Sequence, residues 1–379
     1  MKYFDHAAST CLYPEVLENL LESLREDFAN PSSQHVLGHD LREKIESVRS
    51  RFLKLLGAQA QDFFIFTSSA TESNNTVVLG LNLNAGDTIV YSPADHPSLT
   101  APIENLAKKY KCELKKIQLN TDGTINLDQF SDLLSEKVKL VALTHINNQS
   151  GALIEIEKIT KLVKDKTAAH VHVDAVQSFG KIPVKLSCHI DSMSITSHKI
   201  GGPKGIAGLY LKASHKVAPL FLGGGQEKGM RSSTEAFPLI FAFLTAAEIS
   251  IKNREFNFNK NVEIKKTIET RLMKAIPKLQ FSFQHSSPYI FSFVLPGIPS
   301  DVLLRHLEIR QVYISSTSAC SSKIVGYNPT LAALNIPEKH HKNFIRISLG
   351  VQTSIEDAEL LIHEFIKVWD DLKHMNQQA

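Results

Sequence analysis

The chain has 379 residues, 43% of them hydrophobic and 21% charged, an ordinary globular composition that buries a large core without staples. Its 42 Lys and Arg against 39 Asp and Glu leave a net charge of +3, too small and too scattered for a nucleic-acid face. Four cysteines with no CxxC pair argue against zinc and against a disulfide framework, and with no signal-like N-terminus and no long apolar run the expectation is a soluble, cytoplasmic protein without membrane contact.

Taken in chain order, a helical pattern over residues 34–56 precedes strand candidates at 63–67 and 88–91. A helix over 96–110 follows, then a strand at 140–144, a helix at 156–166, and strands at 169–173, 192–196 and 208–211. Apolar strands such as LVALT, alternating with helices, predict βαβ units and a mostly parallel sheet buried on both faces. After about residue 249 the texture changes. A Lys/Asn-rich helical stretch over 251–278 leads to strand candidates at 289–295 and 312–315, which predicts a smaller α+β domain. The expected division is 13–249 for a large α/β domain and 1–12 with 250–379 for the small one.

Ligands of open parallel sheets sit at the carboxyl ends of the strands. The segments there are polar and rich in Gly and Ser. TSSATESNN (67–75) follows a strand and opens a helix, so its backbone amides and Thr71 suit an anion; a plain helix N-cap explains the same letters. Asp174 ends an apolar strand, where a carboxylate needs a cationic partner such as a protonated pyridine nitrogen, or caps the next helix. His198 and Lys199 precede a Gly-rich turn at a strand end, where an amine with lowered pKa can form a Schiff base. Lys204 is a rival lying farther from the strand. His96 in DHPS has the ring to stack on a pyridine and exchange protons, though a lone His also has a structural reading.

Cys320 stands in SSTSACSSK (315–323), whose composition is that of a loop with an accessible thiol. Cys11, Cys112 and Cys188 lack that setting and read as structural. Arg346 in FIRISLG has the planar fork for a substrate carboxylate. GGGQEKGMRSST (223–234) reads as a phosphate contact or as an ordinary loop.

These pieces together resemble the cysteine desulfurases of the NifS/IscS type, class-V members of the fold-type I pyridoxal-phosphate enzymes. Ten segments occur in family order, from YFDHAAST, FANPSSQH, FTSSATESNN and ADHPS, through HINNQSG, HVDAVQS and SHKIGGPKG, to GGGQEKGMRSST, SSTSACSS and IRISLG. The resemblance implies a fold-type I architecture and a role for each matching residue. Lys199 corresponds to the Schiff-base lysine, and Ala70 and Thr71 to the phosphate-binding turn. His96 corresponds to the ring-stacking histidine, Asn148 to the partner of the ring hydroxyl, Asp174 to that of the ring nitrogen, and Gln177 to another cofactor neighbour. Thr196, Ser197 and His198 correspond to further phosphate positions. Thr234 corresponds to a hydroxyl that reaches the phosphate of the other subunit, which implies a homodimer. Asn30 and Arg346 match the clamp on the carboxylate of L-cysteine, and Cys320 the persulfide cysteine.

The implied reaction turns cysteine into alanine. Lys199 and His96 move protons, Cys320 takes the sulfur, and an acceptor protein collects it for iron–sulfur clusters or tRNA thiolation. Selenocysteine lyase and aminotransferase chemistry would use the same cofactor site, and an inactive scaffold is the third reading. Some letters depart from the family pattern. Gln149 stands where Glu is common, Gly201 where a larger residue is common, and Ser197 and Ser233 where Gly is. The extended docking tail of typical IscS proteins has no match in Gln377-Gln378-Ala379, so the resemblance implies an acceptor that is bound differently or is another protein.

Overall fold

The computed structural model describes residues 2–184, 186–214, 217–283, 285–316 and 327–373. In chain order the first elements are β1 (Lys2–Tyr3), α1 (Pro14–Glu26), α2 (Val36–Leu56), β2 (Phe63–Thr67), α3 (Ala70–Gly80), β3 (Thr88–Tyr91), α4 (Pro97–Tyr110) and β4 (Glu113–Lys116). Then follow α5 (Leu127–Leu133), β5 (Val138–Thr144), α6 (Ile156–Lys166), β6 (His170–Asp174), β7 (Ser192–Thr196), β8 (Ala207–Leu211) and α7 (Phe237–Lys252). The remainder comprises α8 (Arg254–Ala275), β9 (Gln280–Phe281), β10 (Ile290–Val294), α9 (Ser300–Ile309), β11 (Val312–Tyr313), β12 (Ser315–Ser316), α10 (Pro329–Ala333), β13 (Phe344–Ser348) and α11 (Ile355–Leu372).

Seven strands form the main sheet in the order β2-β8-β7-β6-β5-β3-β4. Strands β7, β6, β5, β3 and β4 pair in parallel, and β8 runs antiparallel to both neighbours. Alternate side chains of each strand face opposite sides. Val141, Leu143, Val171 and Val173 join a core with α2, α6 and α7. Leu140 and Ala142 pack with Ile89, Tyr91 and the α4 residues Leu99 and Ile103 on the other side. Both faces are thus covered, which is why these strands read as unbroken apolar runs.

The four-stranded sheet β12-β13-β10-β9 is antiparallel throughout. It shares a second core with α8, α9 and α11, and that core includes Phe4 from the N-terminus. The tie is direct, because β1 pairs in parallel with β11 and Ser348 N–H donates to Phe4 O at 2.8 Å.

Several expected boundaries differ. The helical stretch expected over 251–278 is the end of α7 plus α8, broken at Asn253. The strand expected over 312–315 is two short strands, because Ile314 separates a pair with β1 from a pair with β13. β4 was not foreseen. Its ELKK sequence lies at a sheet edge, where charged side chains are tolerated and blunt strand addition. Among the described residues no helix is long and apolar enough to cross a membrane.

Candidate active site

Strand β7 ends at Thr196 and runs into a single 3-10 turn, Ser197–Lys199. The N-terminal segment is laid along that turn. Thr10 N–H donates to His198 O at 3.0 Å and Tyr13 N–H to Gly201 O at 2.9 Å. This brings the Ala7 and Ala8 carbonyls to Lys199 Nζ, at 2.5 and 2.6 Å. Burial, and then the charge of Arg346, pull the Lys199 amine down to about 8. A nucleophilic amine is therefore available near neutral pH.

Strand β6 delivers Asp174, which is 4% exposed. Its Oδ1 accepts from Val176 N–H at 3.0 Å and its Oδ2 from Asn74 Nδ2 at 2.9 Å. Among the described residues no Lys or Arg lies within ion-pair distance of it. Asp95, at the end of the β3 turn, is a second buried carboxyl; burial and the Asp174 charge push it up to about 8, and it accepts from Thr144 N–H at 3.1 Å. Asp95 thus holds a proton at neutral pH. His96 caps α4, with Nδ1 2.8 Å from Ser98 Oγ and 3.1 Å from Ser98 N. Burial lowers its pKa, with Asp174 opposing and Lys199 adding to the shift.

Helix α3 opens at Ala70 and Thr71. Ser69 caps it by accepting from Glu72 N–H at 3.2 Å, while Glu72 Oε2 accepts from Ser68 N–H at 2.8 Å. The free first-turn amides and the helix dipole favour an anion there. Glu72 Oε1 also takes Arg231 Nε at 2.9 Å, and Arg49 pairs with Glu227 at 2.6 Å. Those two ion pairs anchor the Gly-rich 223–234 loop to α3 and α2. Thr234 itself is exposed.

Arg346 comes from β13. Its Nη2 meets Asp5 Oδ1 at 2.6 Å and its Nη1 donates to Asn148 O at 2.8 Å, while Nε is buried without a partner. Gln177 Nε2 donates to Ala7 O at 2.9 Å, the carbonyl that Lys199 also uses. Thr196 Oγ1 reaches Ile206 O at 3.4 Å, and His198 Nδ1 lies 3.3 Å from Ser9 Oγ. Ser197 Oγ is fully buried without a partner, in the space a Cβ on Gly202 would need.

The class-V aminotransferase family model matches residues 2–361. That is nearly the whole chain, and it decides the matter. The chain belongs to the class-V aminotransferase family. A "NifS/IcsS protein homolog" of Lactobacillus delbrueckii is 32% identical over 99% of both chains. "Cysteine desulfurase IscS" of Dictyoglomus turgidum is 31% identical over 98% of this chain and 95% of its own. A solved "NIFS-LIKE PROTEIN" superposes with a TM-score of 0.90 at 28% identity, covering 98% of this chain and 100% of the other.

Class-V enzymes work with pyridoxal phosphate, and the residues here fit that group. Lys199 offers an amine lowered to about 8, Asp174 a buried carboxylate without a cation, and α3 an open helix start. Hydrogen bonds and mutual charge effects join Lys199, Asp174, His96, Gln177 and Arg346 into one neighbourhood, with the Asn148 backbone at its edge. Among the described residues no hydrogen bond links Thr234 or Asn30 to that set; Asn30 is exposed, and its Oδ1 accepts from Ser32 N–H at 2.9 Å. Cys320 lies outside the described residues. Of the cysteines read as structural, Cys11 and Cys188 are exposed rather than part of the core.

Several buried neighbours of these residues escape sequence reasoning. Asn74 is buried within the motif that carries Thr71, and the alternation of His with Val in HVHVD was the signal for His172. Lys181 is a buried lysine, 3.2 Å from Gln177 Oε1, lowered to about 7 by burial and by Lys199. Glycine at 201 has a local reason. Its φ is +84°, and a Cβ there would lie 2.4 Å from the Tyr13 ring. Tyr13 fills the room that a larger residue at 201 would take.

Proposed function

We propose that this chain is a pyridoxal-phosphate-dependent cysteine desulfurase, converting L-cysteine to L-alanine and passing the sulfur to Cys320 as a persulfide. The observation that carries the reading is the pair of adjacent strand ends. The turn after β7 presents a half-buried amine on Lys199, and β6 presents a carboxylate on Asp174 with no Lys or Arg at ion-pair distance among the described residues. Lys199 would hold the cofactor, Asp174 its ring nitrogen, Asn148 and Gln177 its ring edge, and His96 its face. Ala70, Thr71, Thr196, Ser197 and His198 would surround its phosphate, with Thr234 arriving from a second subunit of a homodimer. The bound cofactor supplies the electron sink that stabilises charge at the substrate Cα.

The chain's own groups do the rest. Arg346, with Asn30, orients the substrate carboxylate; its fork now rests on Asp5 and the Asn148 carbonyl, which the substrate would replace. Lys199 and His96 move protons at the substrate carbons. The Cys320 thiolate attacks the substrate sulfur, so an S–S bond forms as the Cβ–S bond breaks, and the carbon takes up a proton to give alanine. An acceptor protein then removes the persulfide sulfur for cluster assembly or tRNA thiolation. We place residues 13–249 as the cofactor-binding part and 1–12 with 250–379 as the part that carries Arg346 and Cys320, in a cytoplasmic enzyme.

The test is product analysis of purified protein given pyridoxal phosphate and L-cysteine. Equimolar alanine and sulfide are expected with a reductant present, and Cys320→Ala removes both. Full activity of Cys320→Ala, or pyruvate in place of alanine, defeats the reading.

A further inference from the structure

We propose that Asn74 is a positioning residue whose single amide sets the hydrogen-bond direction of the site, holding Asp174 as an acceptor and steering the Ser98 hydroxyl onto His96 Nδ1, beside the Ser98 N–H that keeps the ring proton on Nε2. The inference rests on the reading that Asp174 and His96 bracket the cofactor ring.

The direction follows from which groups can only give or only take. Ser98 N–H can only donate, and it lies 3.1 Å from His96 Nδ1. That nitrogen is therefore an acceptor, and the proton of the neutral ring sits on Nε2. Ser98 Oγ, 2.8 Å from the same Nδ1, must also donate to it. Its lone pair is then free to accept from Asn74 Nδ2 at 2.9 Å. The second Nδ2 hydrogen goes to Asp174 Oδ2 at 2.9 Å, and a carboxylate only accepts.

The amide oxygen needs a donor, and His172 Nε2 stands 2.9 Å away. Burial lowers His172 to about 3, so the ring is neutral and its Nδ1 accepts. Ser192 Oγ, 2.7 Å from that Nδ1, donates to it and accepts from His170 Nε2, also at 2.7 Å. The chain runs one way, from His170 through Ser192, His172 and Asn74, and forks to Asp174 and to Ser98 and His96. Asn74, His172 and Ser192 are all 0% exposed, so water cannot repair a reversed amide. A flipped Asn74 would face its oxygen to the carboxylate and leave its donors against the His172 N–H, which makes the assignment unique. One consequence bears on the chemistry. The resting His96 presents a hydrogen-bond donor, not a lone pair, at Nε2, so that edge suits an acceptor atom.

Two substitutions and one spectroscopic measurement test this. Asn74→Asp keeps the side-chain volume and removes the donor; Asn74→Ala removes both. The readouts are the ring ¹⁵N shifts of His96 in histidine-labelled protein, and kcat and KM for cysteine in the cofactor-loaded enzyme. Unaltered protein is expected to show His96 protonated on Nε2; Asn74→Ala should keep that tautomer, because the Ser98 N–H remains, but move the Nδ1 shift as the Ser98 hydroxyl loses its anchor, and an unmoved Nδ1 shift counts against the proposal. For both variants kcat is expected to fall roughly tenfold or more, with KM far less affected. Asn74→Asp should fall at least as far as Asn74→Ala, although a packing role would make the volume-matched Asp the milder change. Asp outperforming Ala, or a His96 proton on Nδ1 in the unaltered protein, overturns the proposal. If Asn74→Asp does not fold, the tautomer measurement and Asn74→Ala still decide. Asp174→Ala separates the two levels. If that variant keeps full activity, the reading of the site fails, while the His96 Nδ1 shift in Asn74→Ala still judges the role of Asn74.

Discussion

The two larger sheets of this protein divide the work unequally. The seven-stranded sheet ends in polar turns, which carry Asp174, Lys199 and the protonated carboxyl of Asp95. The four-stranded sheet shares an aliphatic and aromatic core with α8, α9 and α11, and sends one arginine, Arg346, toward the site. Parallel strands all point their carboxyl ends the same way, so their loops converge. Antiparallel strands alternate direction, so the smaller sheet offers no such edge. Chemistry should therefore be sensitive to single residues in the first region, and stability to single residues in the second.

The largest expected effect is at Lys199. Lys199→Ala should abolish the covalent visible absorption band of the cofactor-loaded protein and all alanine release. Retention of that band would move the amine role elsewhere, with Lys204 or Lys181 as rivals. Next is Leu361→Ala in the second core, where Leu361 is 0% exposed. It should cost about 2–5 kcal/mol in urea unfolding while the folded fraction keeps its cofactor affinity. A parallel loss of affinity would break the comparison. Arg346→Lys keeps the charge and loses the fork. KM for cysteine should rise on the order of tenfold, as one lost hydrogen bond to a charged group would give, with the cofactor spectrum unchanged.

A pH effect sharpens the same contrast. Below a pKa of about 8 the Lys199 amine is protonated and cannot attack; above it the amine is free. The rate of cofactor attachment to apoprotein should therefore rise through about pH 8, whereas an unperturbed lysine would rise only near about 10.4. Stopped-flow absorbance across that range measures it, and a midpoint near the ordinary value would remove burial as the cause. The smallest effect is expected at the exposed Arg51–Glu248 pair. Arg51→Ala should change stability by at most about 1 kcal/mol in the same urea experiment.

Much of the site was legible because strand ends punctuate the chain with polar residues. Asp174 stands out as a carboxylate closing an apolar strand, and Lys199 as an amine before a Gly-rich turn. Asn74 was invisible as a node, since nothing local says which of two adjacent asparagines points inward. The Tyr13 ring that answers the missing side chain at Gly201 was hidden for the same reason, because the two residues meet only after folding. Arg346 was legible as a carboxylate ligand, but its present partners, Asp5 and the Asn148 carbonyl, were not.

By itself the sequence determined the alternation of strands and helices, the two cores and the residue types at the strand ends. Those follow from periodicity and local chemistry, which act over a few residues. Only the tertiary structure decided the acidity of Lys199 and the direction of the Asn74 network. Lys199 meets Ala7 across 192 residues of chain, and Asn74 meets Asp174 across 100. Burial and hydrogen-bond direction belong to such long-range contacts. They depend on which groups are excluded from water together, and no stretch of sequence carries that information alone.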